Sequence, residues 1–218
     1  VADHTEFGSV STASGTIVRT FTIQNTGTAA WSLTGVSPYA IISGANAADF
    51  SVTTIPSNSI ASSTNTTFQV TFDPSLDGLR TATITIANTD SNENPYTFLI
   101  QGTGVSPEMD VTGNGQAIVS GSSIPTFVND TFFDYVNITG ASIDRVFTIQ
   151  NNGTSPLDIG AINISGSGAS EYSVVSFPAA TLAIGLTTTF TIRFDPSTVG
   201  LKDAVISIVN SDLNESPY

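Results

Sequence analysis

Two phrases occur twice in this chain. Phe21-Thr22-Ile23-Gln24-Asn25 recurs as Phe147-Thr148-Ile149-Gln150-Asn151, and Phe72-Asp73-Pro74-Ser75 recurs as Phe194-Asp195-Pro196-Ser197. Ordered phrases repeated at long spacing mean that one module was duplicated, so each copy must solve the same folding problem with its own core. The first pair is offset by 126 residues (147 − 21) and the second by 122 (194 − 72), so the first copy carries a net insertion of four (126 − 122), expected near residues 37–40. A period of this length exceeds a solenoid unit and matches a self-contained domain. The boundary is expected in a short linker over residues 102–107, giving modules at 1–104 and 105–218.

Apolar residues alternate with polar ones, and the copies repeat the alternation. Phe68, Val70 and Phe72 share one face with Gln69 and Thr71 opposite, and Phe190, Ile192 and Phe194 repeat the pattern. Ala82, Ile84 and Ile86 alternate with Thr81, Thr83 and Thr85, matched by Ala204, Ile206 and Ile208. Ile17, Arg19, Phe21 and Ile23 are echoed by Ile143, Arg145, Phe147 and Ile149. Period two is the signature of half-buried strands, and no segment carries a helical period. Turn chemistry at Asn25-Thr26-Gly27, Asp73-Pro74, Asp77-Gly78, Asn152-Gly153 and Asp195-Pro196 separates the runs. The expected fold is all-β, a tandem pair of immunoglobulin-like antiparallel β-sandwiches.

At 218 residues the two modules are each large enough to bury a core unaided. There is no cysteine, which removes disulfides and thiol chemistry. With 5 Lys+Arg against 18 Asp+Glu the formal net charge is −13, so nucleic acid and anionic lipid are not expected as partners. No apolar run approaches the roughly 20 residues of a spanning helix, so direct membrane insertion is not expected.

Chemistry has little to work with. The single histidine, His4, lies at the terminus, so a Ser-His-Asp triad would have to use it, and multi-histidine metal sites are absent. No Gly-x-Ser-x-Gly elbow occurs, and Gly113-Asn114-Gly115 lacks the third glycine of a dinucleotide fingerprint. The expectation is that the chain is not an enzyme. One metal-ligating pattern stands out: Asp90, Asn92 and Glu93 in the first copy recur as Asp212, Asn214 and Glu215 in the second. Oxygen ligands so spaced suit calcium, and the same residues equally suit a polar turn bonded to its own backbone. Trp31 and Tyr39 flank the insertion, and as an exposed pair they would stack on sugar; Leu157 in place of Trp31 in the second copy favours a core position. Arg19 and Arg145, inside apolar strands, are expected to lay their stems on the core with their heads on a carboxylate or carbonyl.

The string from Phe21 to Gly27, the segment Gly44-Ala45-Asn46-Ala47-Ala48-Asp49-Phe50, Phe72-Asp73-Pro74, and the run from Asn94-Pro95-Tyr96 to Gly102-Thr103-Gly104 resemble the choice-of-anchor D repeats of bacterial surface proteins. Those modules are related to ASH and major-sperm-protein-like immunoglobulin folds. The resemblance implies a secreted or cell-surface, non-enzymatic structural repeat serving as stalk, fibre segment or adhesin spacer. Its partners are then neighbouring repeats of the same chain or identical subunits. A glycan-binding adhesive module, with surface glycans as partners, and a strand-donating filament subunit are the alternatives.

The copies also differ at their ends. The first continues past Tyr96 into Thr97-Phe98-Leu99-Ile100-Gln101, whereas the second stops at the equivalent Tyr218; the second opens with Pro107-Glu108-Met109-Asp110-Val111, for which the first has no counterpart. The first module is therefore expected to lack its first strand and the second its last, to be supplied by neighbouring sequence or by another subunit.

Overall fold

The structure, a computed structural model, describes residues 3–218. The chain divides into two units, Val1–Val105 and Ser106–Tyr218. Unit one contains β1 (Glu6–Ser11), β2 (Ile17–Gln24), β3 (Trp31–Ser32), β4 (Ala40–Ser43), β5 (Phe50–Thr54), β6 (Ser59–Ile60), β7 (Asn65–Phe72), β8 (Gly78–Ile86) and β9 (Tyr96–Val105). They form a sheet in the order β1-β9-β8-β4, a second in the order β2-β7-β5, and the small pair β3-β6. Unit two contains β10 (Met109–Gly113), β11 (Gln116–Ile118), β12 (Ile143–Asn151), β13 (Leu157–Ser165), β14 (Tyr172–Ser176), β15 (Thr181–Leu182), β16 (Thr187–Phe194) and β17 (Val205–Asn210). Its sheets run β11-β10-β12-β16-β14 and β15-β13-β17. The only helical turns among the described residues are 3-10 segments at Ala47–Asp49 and Ala169–Glu171. Among the described residues no helix is long and apolar enough to cross a membrane.

The protein is all-β, and among the described strands the pairings are antiparallel with one exception, the parallel β1–β9 pair. The same register appears in both units. Ile17↔Phe72 and Phe21↔Phe68 in unit one match Ile143↔Phe194 and Phe147↔Phe190 in unit two. Alternation places Phe68, Val70 and Phe72 inside, together with Ala82, Ile84 and Ile86 from the facing sheet. Phe7 joins them, edge-on to Phe50 and Phe72 at 5.5 and 5.8 Å. In unit two Phe133 takes that place against Tyr172 and Phe194 at 5.3 and 6.1 Å.

The asparagine that closes the first recurring phrase is a buried bracket. Asn25 Nδ2 donates to Ala29 O (3.0 Å) and Ile60 O (2.9 Å), while its Oδ1 accepts from Gly27 N (3.0 Å). Asn151 repeats this with Ser155 O (2.9 Å), Leu182 O (3.0 Å) and Gly153 N (3.0 Å). An alanine at either position removes these bonds, of which those to the Ile60 and Leu182 carbonyls are buried. Asn25→Ala and Asn151→Ala are each expected to cost about 2 kcal/mol, read by urea unfolding. A loss below roughly 0.5 kcal/mol, the level of an ordinary surface change, would show that the bracket is dispensable.

Two details differ from the sequence expectation. Leu33 bridges Asn88 and Ile159 pairs with Asn210, while Ala40 pairs with Ile86 and Ile162 with Ile208. The insertion is thus residues 34–39 facing residues 160–161, and it begins earlier than residues 37–40. It splits into β3 and β4 what unit two keeps as the single bulged strand β13. Residues 102–105 are not linker but the end of β9. A side chain at Gly102 would collide with the Phe72 ring, and one at Gly104 with the Leu76 carbonyl, so these glycines are there for close packing rather than flexibility.

Candidate functional site

The sequence-predicted ligands lie on the turn after β8 in unit one and after β17 in unit two. In unit two Asp212 is buried, 1% exposed, and its carboxylate accepts from Met109 N (2.9 Å) and Asn214 N (3.3 Å). Glu215 donates its backbone N–H to Asp212 O (3.3 Å). Asn214 enters through its backbone N–H rather than its side-chain amide. Glu108, Asp212 and Glu215 each bring a carboxylate oxygen to within 4.8 Å of one another. Sequence reasoning missed Glu108, because it arrives just before β10, far away along the chain. In unit one Asn92 N donates to Asp90 Oδ1 (3.2 Å) and Asn88 Nδ2 to Glu93 O (3.1 Å). Among the described residues that turn has no strand like β10 against it, and Asp90 is only half-buried. The recurring aspartate therefore serves its own turn in both units and, in unit two, fastens β10 through Met109 N–H.

The cluster in unit two is electrostatically unfavourable. Burial first, then Asp212, Glu108 and Asp110, hold the Glu215 carboxyl above its ordinary 4.5. A carboxyl whose folded value is raised contributes stability that is full below the unfolded value and is lost as pH rises through the folded one. Glu215→Gln is expected to raise the stability of unit two at pH 7, by about 0.5–1 kcal/mol, and to leave it unchanged near pH 4. Thermal melts at the two pH values check this, and destabilisation at pH 7 would overturn it. The same carboxylate spacing suits an oxygen-seeking cation such as calcium, and melts with calcium and with chelator compare the two accounts directly. A cation held there would raise the calcium melt, whereas the turn alone predicts coincident curves.

A second recurring polar group carries no mark in either phrase except its serine. Asp49, 2% exposed, accepts from Ser75 N (3.0 Å) and Arg80 Nε (2.5 Å). Glu171 accepts from Ser197 N (2.6 Å) and Ser197 Oγ (2.9 Å), with Lys202 Nζ at 3.9 Å. The acid ends a 3-10 turn, holds the Asp-Pro-Ser corner and neutralises a base ahead of the next strand. Its signal was the matched spacing of Asp49, Ser75 and Arg80 with Glu171, Ser197 and Lys202. Arg19 and Arg145 behave as the alternation implied: Arg19 Nη2 reaches Phe7 O at 3.4 Å, and Arg145 Nη1 reaches Asp130 at 3.1 Å. His4 is exposed, with Nδ1 3.2 Å from Thr20 O. Trp31 and Tyr39 are partly buried against the core, and Trp31 also lines a surface groove of unit one.

The most distinctive surfaces are two open sheet edges. In unit one β2 pairs, among the described strands, with β7 alone, and a groove of about 540 Å³ runs beside it, floored by Phe21, Ile23, Phe68 and Phe98. In unit two the matching place is filled: β10 pairs with β12, and Met109 and Val111 are buried. Conversely, β8 in unit one lies between β4 and β9, whereas β17 in unit two pairs with β13 alone among the named strands. Beside β17 lies a groove of about 470 Å³, floored by Phe133, Phe147, Phe190, Ile206 and Ile208.

No family model matches this chain, and no curated protein sequence does. Among solved structures it is similar to a protein of unknown function from Porphyromonas gingivalis W83, at 13% identity, 93% of this chain, 88% of that one and a TM-score of 0.34. It is similar to the secreted serine protease VesC from Vibrio cholerae at 12% identity, with 94% of this chain, 49% of that one and a TM-score of 0.37. It is also similar to the YadV chaperone, at 9% identity, 95% of this chain, 90% of that one and a TM-score of 0.32. Likenesses this distant carry no assignment of function.

Proposed function

We propose that this chain is a non-enzymatic structural repeat of an extracellular bacterial surface protein, a stalk, fibre segment or adhesin spacer of choice-of-anchor D type. The observation that carries this reading is the parallel β1–β9 pair at the edge of unit one. Its register runs from Glu6↔Gln101 to Ser11↔Val105, and Gln101 N→Thr5 O and Thr12 N→Val105 O, both 2.9 Å, extend it. Tension entering before β1 and leaving after β9 pulls these strands in opposite directions along their length. The ladder bonds are then loaded together in shear rather than one at a time. The recurring residues support a structural role: the phenylalanines fill the cores, and the asparagines and acids tie down turns. The acidic surface keeps neighbouring chains apart.

Single-molecule pulling tests the mechanical reading. Unit one is expected to yield at clearly higher force than unit two, in which no parallel pair is present among the described strands. Equal low forces for both units would overturn it. Antibody labelling of intact cells tests location, and labelling only after lysis would place the chain inside the cell and sink the surface assignment.

A further inference from the structure

We propose that the groove beside β17 is the seat of one more antiparallel strand, in register with the Ile208–Tyr218 backbone pair, with large apolar residues and then glycines at its inward positions. The inference goes beyond the mechanical role and is independent of where the protein resides.

Unit one shows the occupant. There β9 pairs with β8 from Ile86↔Tyr96 to Gly78↔Gly104, and its inward residues after Tyr96 are Phe98, Ile100, Gly102 and Gly104. Phe98 lies 5.4 Å from the Phe21 ring, and Ile100 is 1% exposed. Under this cover Ala82 and Ile84 are 2% and 0% exposed. Their equivalents in unit two, Ala204 and Ile206, are half-exposed in the groove wall.

Unit two already begins the same strand. Ile208 N donates to Tyr218 O (3.1 Å) and Tyr218 N to Ile208 O (3.0 Å), the doubly bonded pair that opens an antiparallel ladder. The turn leading there repeats that of unit one. Asn210 Nδ2 donates to Ile208 O (3.1 Å) and Glu215 O (3.2 Å), as Asn88 Nδ2 does to Ile86 O (3.2 Å) and Glu93 O (3.1 Å). From this pair the alternation of β17 aims the Ile206 N–H and C=O at the open side, in line with the groove.

A third feature depends on the same absence. In unit one β1 is held to the sheet by β9 alone. Residues 132–137, equivalent to β1 by the match of Phe7 with Phe133, form no strand in unit two, although Phe133 is buried. Seating a β9-like strand supplies the edge that this segment lacks. The inward glycines are required because Phe194 and the corner after Pro196 stand where Phe72 and the corner after Pro74 exclude side chains from Gly102 and Gly104.

The test extends the 218-residue chain past Tyr218 with the sequence of residues 97–105 and follows hydrogen exchange, melting and native mass. The Ile206 amide is expected to gain at least about tenfold protection, with residues 132–137 following it. Unit two should melt about 5 °C or more higher, and the chain should remain a monomer. An extension carrying serine at the positions of Phe98 and Ile100 should give neither gain. Should the extended chain fail to fold, the nine-residue peptide added to the 218-residue chain reads the same protection. No gain at Ile206 in either format overturns the proposal. So does a concentration-dependent oligomer of the unextended chain in which Ile206 is already protected, because a second copy is then the occupant.

Discussion

Replacing Phe72 by alanine is expected to destabilise unit one by about 4 kcal/mol, the upper range for removing a core ring. The ring is fully buried, stacked on Phe50 at 4.7 Å and edge-on to Phe7 at 5.8 Å, with Gly102 closing over it. Its strand is the centre of its sheet, paired to β2 at Ile17 and to β5 at Phe50, so the walls of the cavity cannot collapse inward. At roughly 4–8 °C per kcal/mol for a unit of this size, the melting point should fall by about 20 °C. Val18→Ala on the neighbouring strand, 49% exposed, should change stability by less than about 0.5 kcal/mol. Urea unfolding of the two variants gives the comparison, and similar losses for both would mean that the core is not centred on Phe72.

Asp49→Ala carries the second largest effect, about 3 kcal/mol. Burial pushes the Asp49 carboxyl up, but hydrogen bonds from Ser75 and Arg80 more than offset it and hold the carboxyl below its ordinary 3.8. Removing it leaves the Ser75 N–H without an acceptor and the Arg80 guanidinium, whose side chain is 15% exposed, without its counter-charge. Asp49→Asn keeps an acceptor and loses the charge, so it should cost about half as much. A carboxyl held below its unfolded value contributes stability that is present above that value and is lost as pH falls through the folded one. The gap between Asp49→Asn and the parent should therefore be full at pH 6, begin to shrink below about pH 4, and vanish once the folded carboxyl itself takes up its proton. A gap that persists unchanged to pH 2 would assign the effect to shape rather than charge.

Much of this was legible in residue order. The duplicated phrases mark structural parts: Phe21, Phe68 and Phe72 pack the core, Asn25 brackets a turn, and Ser75 N–H meets an acid. Alternation identified β7, β8, β12 and β16, because a residue's face in a strand follows from its parity. The acidic turn was found through its recurrence, yet Glu108 was not, because a carboxylate brought in by an adjacent strand leaves no trace in local spacing. The Asp49–Arg80 pair escaped for the same reason, its members lying on different elements. The place of the insertion, residues 34–39, became visible only through cross-strand partners.

The sequence by itself determined that the chain is all-β and which residues face inward, since these follow from period two and from alternating phrases that recur. Its net charge of −13 and lack of cysteine set the expectations that nucleic acid is not a partner and that thiol chemistry is absent. Only the tertiary structure decided which strands are neighbours, that β1 runs parallel to β9, and that residues 102–105 belong to a strand. Comparison of the copies predicts one missing strand in each unit, and the structure located the open sides on β2 and β17. Pairing is a relation between segments distant along the chain, and an unpaired edge is an absent partner, which no single segment can record.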